Sequence, residues 1–247
     1  MSINKNLAIV IMAAGKGTRM KSDLPKVLAP LCGKPMLEYA LSSARALDPK
    51  KIIVVVGHGR DMVKEQFSDH DISFATQEPQ LGTAHAVAQA TGYLEGFDGD
   101  VVILSGDVPL IKPETIKRML ETHKNSNAAI TVLTLKLDDA ASYGRVIRQG
   151  DTITAIVEAK DATPEQLEVK EINSGIYVFK NSFLLPSLKR VDNSNAQGEY
   201  YLTDLVNMAF DEGLVVNCVL AEDAKEALGI NTADDLENIE RIMKTTS

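Results

Sequence analysis

The sequence predicts an α/β fold: a mostly parallel sheet flanked by helices, with a smaller β-rich lobe. Three observations favour this fold class. Apolar, β-branched runs at residues 7–12, 52–56 and 101–104 are continuous rather than alternating, which is typical of strands buried on both faces. Helical periodicity separates these runs, and such alternation indicates a parallel sheet. The second half instead carries several strand patterns with little helix between them.

The same patterns predict the elements in chain order. The first half alternates strands with helices, the helices being at 36–47, 83–93 and 113–123. Pro113 supports the start of the last of these, because proline is well tolerated in the first turn of a helix. The second half contributes strands at 129–137, 145–148, 152–158 and 175–179, and then helices at 200–210 and 232–243.

Length and composition indicate one compact globular domain. The chain has 247 residues, of which 45% are apolar and 24% charged, and its net charge is −8. An acidic chain argues against nucleic acid or an anionic membrane as a partner. The apolar run at 7–14 is too short to span a bilayer and lacks a signal-peptide cleavage pattern. Cys32 and Cys218 form no disulfide framework or metal spacing, so we expect a cytoplasmic protein.

The loop after the first strand predicts a phosphate-binding site. Gly15 and Gly17 let the backbone approach an anion closely, with amides turned towards it. Arg19 and Lys26 can bring two cations to the same triphosphate. The loop fits neither G-x-x-x-x-G-K-[ST] nor G-x-G-x-x-G, because Met20 stands at the third glycine position; this argues against a dinucleotide oxidoreductase. The alternative is a glycine turn with solvated basic residues.

Asp107 is the candidate metal ligand, because it comes directly after the strand at 101–104. Ligands of such sheets bind beyond the carboxyl ends of the strands. Magnesium prefers oxygen ligands and commonly uses one or two carboxylates together with substrate phosphates. The alternative is an aspartate that only forms the turn.

The glycine loop, read as a longer motif, resembles the sugar-1-phosphate nucleotidyltransferases. Residues 12–20 (MAAGKGTRM) followed by 24–26 (LPK) carry that resemblance. Further motifs of the family follow in order at 77–86, 106–110, 143–145, 156–158, 171–175, 196–201 and 229–231. As an ordered set covering nearly the whole chain, they are similar to the uridylyltransferase domain of the bacterial N-acetylglucosamine-1-phosphate uridylyltransferases.

That resemblance implies a fold and an activity. The fold is the Rossmann-like, nucleotide-diphospho-sugar transferase type. It would form a single domain over 1–247, with a nucleotide-binding part at about 1–110, a sugar-binding lobe at about 111–231 and a C-terminal helix at 232–247. The activity is transfer of UMP from UTP to N-acetylglucosamine 1-phosphate, with Mg²⁺, giving pyrophosphate and UDP-N-acetylglucosamine for cell-wall precursor synthesis.

The resemblance also assigns site residues. The catalytic residues would be Arg19 and Lys26, and the metal ligands Asp107 and Asn231. The nucleotide would be bound by Ala14, Gly15, Lys26, Gln77, Gly82 and Thr83. The sugar would be bound by Gly144, Glu158 and Asn173. His85, inside the predicted helix, is interpreted as structural.

Several of these residues have simpler interpretations. Asn231 could cap the helix that follows it, and Gln77 could be an exposed loop residue. Glu158 could be a strand-end charge, and Asn173 could form a turn before Gly175.

Two departures from the family limit what it implies. Relatives usually carry tyrosine where this chain has Ser105, which removes a packing wall near the sugar pocket and leaves the hexosamine open. Relatives often continue into a hexapeptide-repeat β-helix. The sequence ends at Ser247 with no such repeat, so we expect no acetyltransferase domain or activity. Since the relatives trimerise through that part, the oligomeric state stays open.

Two alternative functions remain at this point. One is a related nucleotidyltransferase that uses another sugar 1-phosphate, such as glucose 1-phosphate, or another nucleoside triphosphate. The other is a non-catalytic nucleotide-sugar sensor. A sensor would be expected to have lost a cation or the metal carboxylate, whereas Arg19, Lys26 and Asp107 are all present.

Overall fold

The computed structural model describes residues 6–20, 24–68 and 71–246; of Thr18 and Thr246 only the backbone is described. Residues 1–5, 21–23 and 69–70 of the predicted nucleotide-binding part and Ser247 of the predicted C-terminal helix lie outside these ranges. The strands are β1 (Leu7–Ala13), β2 (Pro30–Leu31), β3 (Lys34–Pro35), β4 (Lys51–Val56), β5 (Ile72–Thr76), β6 (Asp100–Ser105), β7 (Ile130–Lys136), β8 (Arg145–Gln149), β9 (Thr152–Val157), β10 (Glu171–Lys180) and β11 (Val216–Leu220).

The helices surround a central sheet. They are α1 (Met36–Arg45), α2 (Arg60–Gln66), α3 (Thr83–Ala88), α4 (Thr91–Leu94), α5 (Pro113–Asn125), α6 (Pro164–Leu167), α7 (Asn181–Leu188), α8 (Asp204–Asp211) and α9 (Ala233–Thr246). Short 3₁₀ turns lie at Thr18–Met20, Lys26–Leu28 and Ala224–Ala227. No helix in the described ranges is long and apolar enough to cross a membrane.

Among the residues that the structure describes, the central sheet has nine strands and is mostly parallel. Its main path runs β11-β7-β10-β6-β1-β4-β5. The neighbours of β1 are parallel to it, as are the pairs β4–β5 and β7–β11. β10 runs antiparallel to both β6 and β7, and the β8–β9 hairpin is attached through β10. The predicted fold class is therefore confirmed.

Burial on both faces explains the continuous apolar runs. Along β1, Ile9 and Ile11 pack in the core that contains Leu37 and Leu41 of α1. Ala8 and Val10 pack in the opposite core, with residues of α3, α7 and α8. Because neither face of β1 meets solvent, both side-chain sets must be apolar.

Several predicted elements have different bounds in the structure. The helix predicted at 83–93 is two short helices, because the hydroxyl of Thr91 donates to the carbonyl of Ala88 (2.8 Å) where the first helix ends. The helix predicted from 200 begins at Asp204, since the backbone of Tyr200 is hydrogen-bonded to Leu81 and Ala84. The strand predicted at 175–179 extends over Glu171–Lys180.

Other elements were not predicted. Two helices, α6 and α7, lie between strands of the second half, where the sequence predicted little helix. The edge strands β5 and β11 were also missed, together with α2. An edge strand buries fewer of its side chains, so its sequence lacks the continuous apolar run that marks a central one; β11 has no fully buried residue.

Candidate active site

The loops that follow β1 and β6 lie against each other at the carboxyl edge of the sheet. Met12 of β1 is in register with Ser105 of β6, and the amide of Gly106 donates to the carbonyl of Met12 (2.9 Å). A Cβ on Gly106 would lie 3.2 Å from both that carbonyl and a methyl of Val27. The glycine therefore allows the loop bearing Asp107 to approach the glycine loop.

Gly17 performs a similar role inside the glycine loop. Its φ is +60°, a left-handed conformation that glycine adopts without strain. A Cβ there would lie 2.6 Å from the Cβ of Lys26. The loop consequently folds back over Lys26, whose side chain reaches the end of β6.

Four of the predicted residues meet in one polar cluster. The Nζ of Lys26 donates to Oδ2 of Asp107 and to Oδ1 of Asn231, the latter at 2.9 Å. Arg19 donates from Nη2 to the same Asn231 oxygen (3.0 Å). The side chains of Lys26 and Asp107 are 11% and 22% exposed, so the ion pair is only partly screened by solvent.

Ser105 belongs to this cluster as well. Its hydroxyl donates to Oδ1 of Asp107 at 2.6 Å. The two carboxylate oxygens of Asp107 are thus held separately, one by Ser105 and the other by Lys26. The sequence had marked Ser105 only as a missing aromatic, because its hydrogen bond depends on the loop geometry.

The loop before α9 fixes Asn231 beside Asp107. The amide of Ile230 donates to the Asp107 carbonyl (2.9 Å). Asp235 accepts from the amides of Asn231 and Thr232, both at 2.8 Å. Burial raises the pKa of Asp235, but these hydrogen bonds outweigh it and hold the pKa below its usual value.

The capping interpretation of Asn231 is wrong. Thr232 caps α9 instead, its hydroxyl accepting from the amide of Asp235 (3.1 Å). This leaves the Asn231 side chain directed at the two cations. The residues 232–235, T-A-D-D, carry a capping signal that could have identified Thr232 and Asp235 from the sequence.

The donor set at this point fits Mg²⁺. Asp107 offers a carboxylate and Asn231 an amide oxygen, and both are already turned towards a cation, the ammonium of Lys26. Within residues 6–20, 24–68 and 71–246, no group of three or more His, Cys, Asp or Glu could hold a metal. An ion at this site would therefore need phosphate or water oxygens to complete its coordination.

A cavity of about 260 Å³ opens beside the cluster. Ser105 and Asp107 contribute to its wall. So do all six residues predicted to bind the nucleotide: Ala14, Gly15, Lys26, Gln77, Gly82 and Thr83. The cavity wall thus combines charged groups with residues of the polar Gln77–Gly82 segment.

Gln77 is held inside this wall, so its interpretation as an exposed loop residue is wrong. Its side chain is 3% exposed and donates from Nε2 to the carbonyl of Gly82 (3.0 Å). Gly82 has φ +113°, and a Cβ there would lie 2.5 Å from the Tyr200 carbonyl. Only glycine fits that contact. The Thr83 hydroxyl accepts from the amide of Leu202 (2.9 Å).

The three predicted sugar residues also come together, beside the cavity rather than in its wall. The amide of Asn173 donates to the carbonyl of Gly144 (2.9 Å). A Cβ on Gly144 would lie 3.6 Å from the carboxyl carbon of Glu158. The oxygen of the Asn173 side chain accepts from the Gly175 amide (3.0 Å), which is the turn that the sequence offered as an alternative. Its Nδ2 amide is the part that can donate to a ligand.

Glu158 is a half-buried carboxylate with a hydrogen-bond partner rather than a simple strand-end charge. Burial raises its pKa, while the hydroxyl of Thr203, which donates at 3.2 Å, opposes that rise. Thr203 follows Leu202, the residue bound to Thr83. Tyr143, next to Gly144, accepts from the amide of Gly229 (3.3 Å). These contacts connect the sugar residues to both the nucleotide wall and the Asn231 loop.

The chain is similar in sequence and in fold to known proteins. The sequence model of a family described as nucleotidyl transferase matches residues 8–237. Two curated relatives are each named bifunctional protein GlmU. The one from Geobacter metallireducens is 47% identical over 241 residues, covering 97% of this chain and 51% of the relative. The one from Bacillus thuringiensis is 46% identical over 240 residues, covering 97% and 52%. The chain thus spans about half the length of these relatives.

A solved structure shares the fold. It is a UDP-glucose pyrophosphorylase complexed with UDP-glucose, which aligns with a TM-score of 0.79 over 97% of this chain and 99% of its own. The two sequences are 15% identical.

Proposed function

The chain belongs to the nucleotidyl transferase family, and from that premise we propose that it transfers UMP from UTP to N-acetylglucosamine 1-phosphate. The products are UDP-N-acetylglucosamine and pyrophosphate. The observation that carries the proposal is the convergence of Lys26, Asp107 and the glycine loop on the cavity that Gln77 and Gly82 also line. Lys26 and Asp107 offer charge for phosphates and a metal ion, and Gln77 and Gly82 offer hydrogen-bonding groups for a base. We expect the reaction to take place in the cytoplasm, where UTP is available.

The reaction is a direct displacement at phosphorus. An oxygen of the sugar phosphate bonds to the α-phosphorus of UTP, and the bond from that phosphorus to the bridging β-phosphate oxygen breaks. Pyrophosphate leaves with the electron pair. No general base is required, because a phosphate monoester with a second pKa near ~6 is largely dianionic at neutral pH. The residues of the chain contribute position and charge.

Lys26 and Arg19 supply the positive charge. In the proposed reaction Lys26 donates to the α-phosphate and Arg19 to the rest of the triphosphate. Asp107 and Asn231 would hold Mg²⁺, which neutralises charge on the two anionic substrates when bound. Lys26 donates to Oδ2 of Asp107 and to Oδ1 of Asn231, which places its ammonium beside the proposed metal ligands and within reach of the phosphate.

Glu158 and Asn173 support the assignment of an amino sugar. The Glu158 carboxylate can accept from sugar hydroxyls, and the Asn173 Nδ2 can donate to the acetamido carbonyl. A buried polar group left unpaired costs about 1–3 kcal/mol, enough to reject a sugar that lacks the matching group. Gly144 lies against the same strand end, because a Cβ there would lie 3.2 Å from a methyl of Ile156 and 3.6 Å from the carboxyl carbon of Glu158.

The substrate pair can be tested by measuring pyrophosphate release. Purified chain is incubated with UTP, CTP, dTTP or GTP, each with N-acetylglucosamine 1-phosphate or glucose 1-phosphate, with Mg²⁺ or with EDTA. We expect the fastest release from UTP with N-acetylglucosamine 1-phosphate, and none in EDTA. Asp107→Ala should abolish release, whereas Asp138→Asn, which removes an exposed carboxylate, should not.

Three outcomes would contradict the proposal. Faster release from another sugar phosphate or triphosphate would make the chain a different member of its family. No release from any pair, together with tight binding of UDP-N-acetylglucosamine, would favour a sensor. Full activity of Asp107→Ala would remove Asp107 from the site.

A further inference from the structure

The side-chain amide of Gln77 has a defined orientation. Its Nε2 lies 3.0 Å from the carbonyl oxygen of Gly82 and 3.1 Å from Nδ1 of His85. The oxygen and nitrogen of an amide are usually assigned from their hydrogen bonds. A backbone carbonyl can only accept, so the atom facing Gly82 must be the nitrogen.

The same contacts define the state of His85. One Nε2 hydrogen of Gln77 points to Gly82, and the other points to the His85 ring. Nδ1 must then accept, so the imidazole carries its hydrogen on Nε2 and is neutral. Desolvation lowers the pKa of His85, which favours this neutral form.

His85 is itself held in place. It lies in the first turns of α3, whose Ala86 amide donates to the Gly82 carbonyl (3.1 Å). Gln89 donates from its side chain to the His85 carbonyl (2.9 Å). The ring also lies 6.2 Å, centroid to centroid, from that of Tyr200. The acceptor at Nδ1 therefore occupies a fixed position relative to Gln77.

We propose that His85 is a positioning residue that, together with the Gly82 carbonyl, fixes which end of the Gln77 amide meets the base, and so strengthens the base preference. Both Nε2 hydrogens are used within the protein, which leaves Oε1 as the group that Gln77 can offer in the cavity wall. Oε1 accepts the N3–H of uracil. Cytosine has a lone pair at N3 and would place it against this oxygen. The inference rests on the proposed function, in which Gln77 reads a pyrimidine.

The histidine thus acts through Gln77 and does not touch the substrate. Without an acceptor at Nδ1, the Gly82 carbonyl alone holds Nε2, so the native orientation of the amide loses one of its two hydrogen bonds and the rotated orientation becomes less unfavourable. A rotated amide presents Nε2, which suits the N3 lone pair of cytosine. Discrimination that depends on one buried hydrogen bond is worth about tenfold to a hundredfold.

Two substitutions separate the acceptor from the bulk of the ring. His85→Leu removes the acceptor, and His85→Asn keeps an oxygen that can accept near the position of Nδ1. Gln89→Ala is the control, because it removes a bond to the His85 backbone but leaves the imidazole. Melting temperatures show whether each variant is folded. The readouts are kcat/KM for UTP and for CTP with N-acetylglucosamine 1-phosphate, and calorimetric Kd values for both nucleotides.

We expect His85→Leu to lower the UTP-to-CTP ratio by roughly tenfold or more, in kcat/KM and in Kd alike. His85→Asn should restore most of the ratio, and Gln89→Ala should leave it unchanged. An unchanged ratio in His85→Leu would overturn the inference, as would equal loss in His85→Leu and His85→Asn. If the wild-type chain prefers dTTP to UTP, the proposed function fails instead; the dTTP-to-dCTP ratio then decides the role of His85, because thymine also carries N3–H.

Discussion

Lys26 connects three separate parts of the chain at a single point. It begins a 3₁₀ turn after the glycine loop, pairs with Asp107 at the end of β6 and donates to Asn231 before α9. The glycine at position 17 allows this approach, because any side chain there would overlap Lys26. The lysine is thus held at the site by contacts within the protein.

Replacing Lys26 with alanine should lower kcat far more than it weakens UTP binding. A cation that acts on the phosphate under attack contributes mainly in the transition state, and loss of one such group typically costs about 10²–10³-fold in kcat. Steady-state kinetics with UTP varied would measure both effects. Lys170→Ala, which removes an exposed lysine from an ion pair with Asp138, is the matched control. An unchanged kcat would refute the role of Lys26.

Ser105→Ala should weaken metal binding while leaving nucleotide binding largely intact. The serine hydroxyl donates to one oxygen of Asp107 and so restricts the orientation of the carboxylate. Without this hydrogen bond, the carboxylate would be freer to rotate and would lose more conformational entropy when it binds an ion. We expect the Mg²⁺ concentration for half-maximal activity, and the Kd for Mn²⁺ by spin-resonance titration in the presence of UTP, to rise about 10-fold or more. Ser105→Thr keeps the hydroxyl and should behave as wild type. Equal metal affinity in all three proteins would contradict the prediction.

At the scale of residues, the sequence predicted which side chains meet but not every contact that holds them. Arg19, Lys26, Asp107 and Asn231 could be named because each stands in a family motif. The hydrogen bond of Ser105 and the contact of His85 with Gln77 could not, since both depend on side-chain conformations that no spacing encodes. The roles of the named residues stay predictions.

At the scale of elements, β10 shows how one strand serves both the core and the site. Its register against β7 shifts between Asn173 and Tyr177. After the shift, the strand pairs with β6 in the middle of the sheet. Before it, the strand joins β8, and Asn173 is turned towards Gly144. The sequence predicted only 175–179, because the polar start of the strand lacks the apolar run of its buried end.

The first turn of α8 gives a prediction about pH. Burial raises the pKa of Asp204 to about 6 from its ordinary 3.8, and the nearby charges of Asp192 and Asp161 add to the rise. Between these two pH values the folded chain holds this proton while the unfolded chain loses it. The contribution of Asp204 to the free energy of unfolding therefore falls as pH rises through this window.

Asp204→Asn should remove this fall in the free energy of unfolding. With solvent screening taken into account, we expect a gain of about 1 kcal/mol above pH 6, which corresponds to ~2–4 °C in Tm. The gain should disappear at pH 3.5, below both pKa values. Thermal melts at the two pH values measure the difference, with Asp98→Asn as an exposed control on the same chain. An equal gain at both pH values would show that the titration of Asp204 is not its cause.

At the scale of the whole molecule, the parallel part of the sheet accounts for the position of the site. β1, β4, β5 and β6 run in one direction, so the loops after them meet at one edge. That edge carries the glycine loop, Gln77 and Asp107. The fold class could be predicted because burial on both faces leaves a clear pattern, and the family resemblance is confirmed by the match over residues 8–237. The division into a nucleotide part and a sugar lobe stays a prediction.

The central claim is that the sugar phosphate attacks the α-phosphorus of UTP, and an isotope experiment tests it most directly. N-acetylglucosamine 1-phosphate with ¹⁸O in its phosphate is incubated with the chain, UTP and Mg²⁺, and the products are analysed by mass spectrometry. The account predicts that all the label appears in UDP-N-acetylglucosamine and that pyrophosphate carries none. Label in pyrophosphate, or no UDP-N-acetylglucosamine at all, would contradict it.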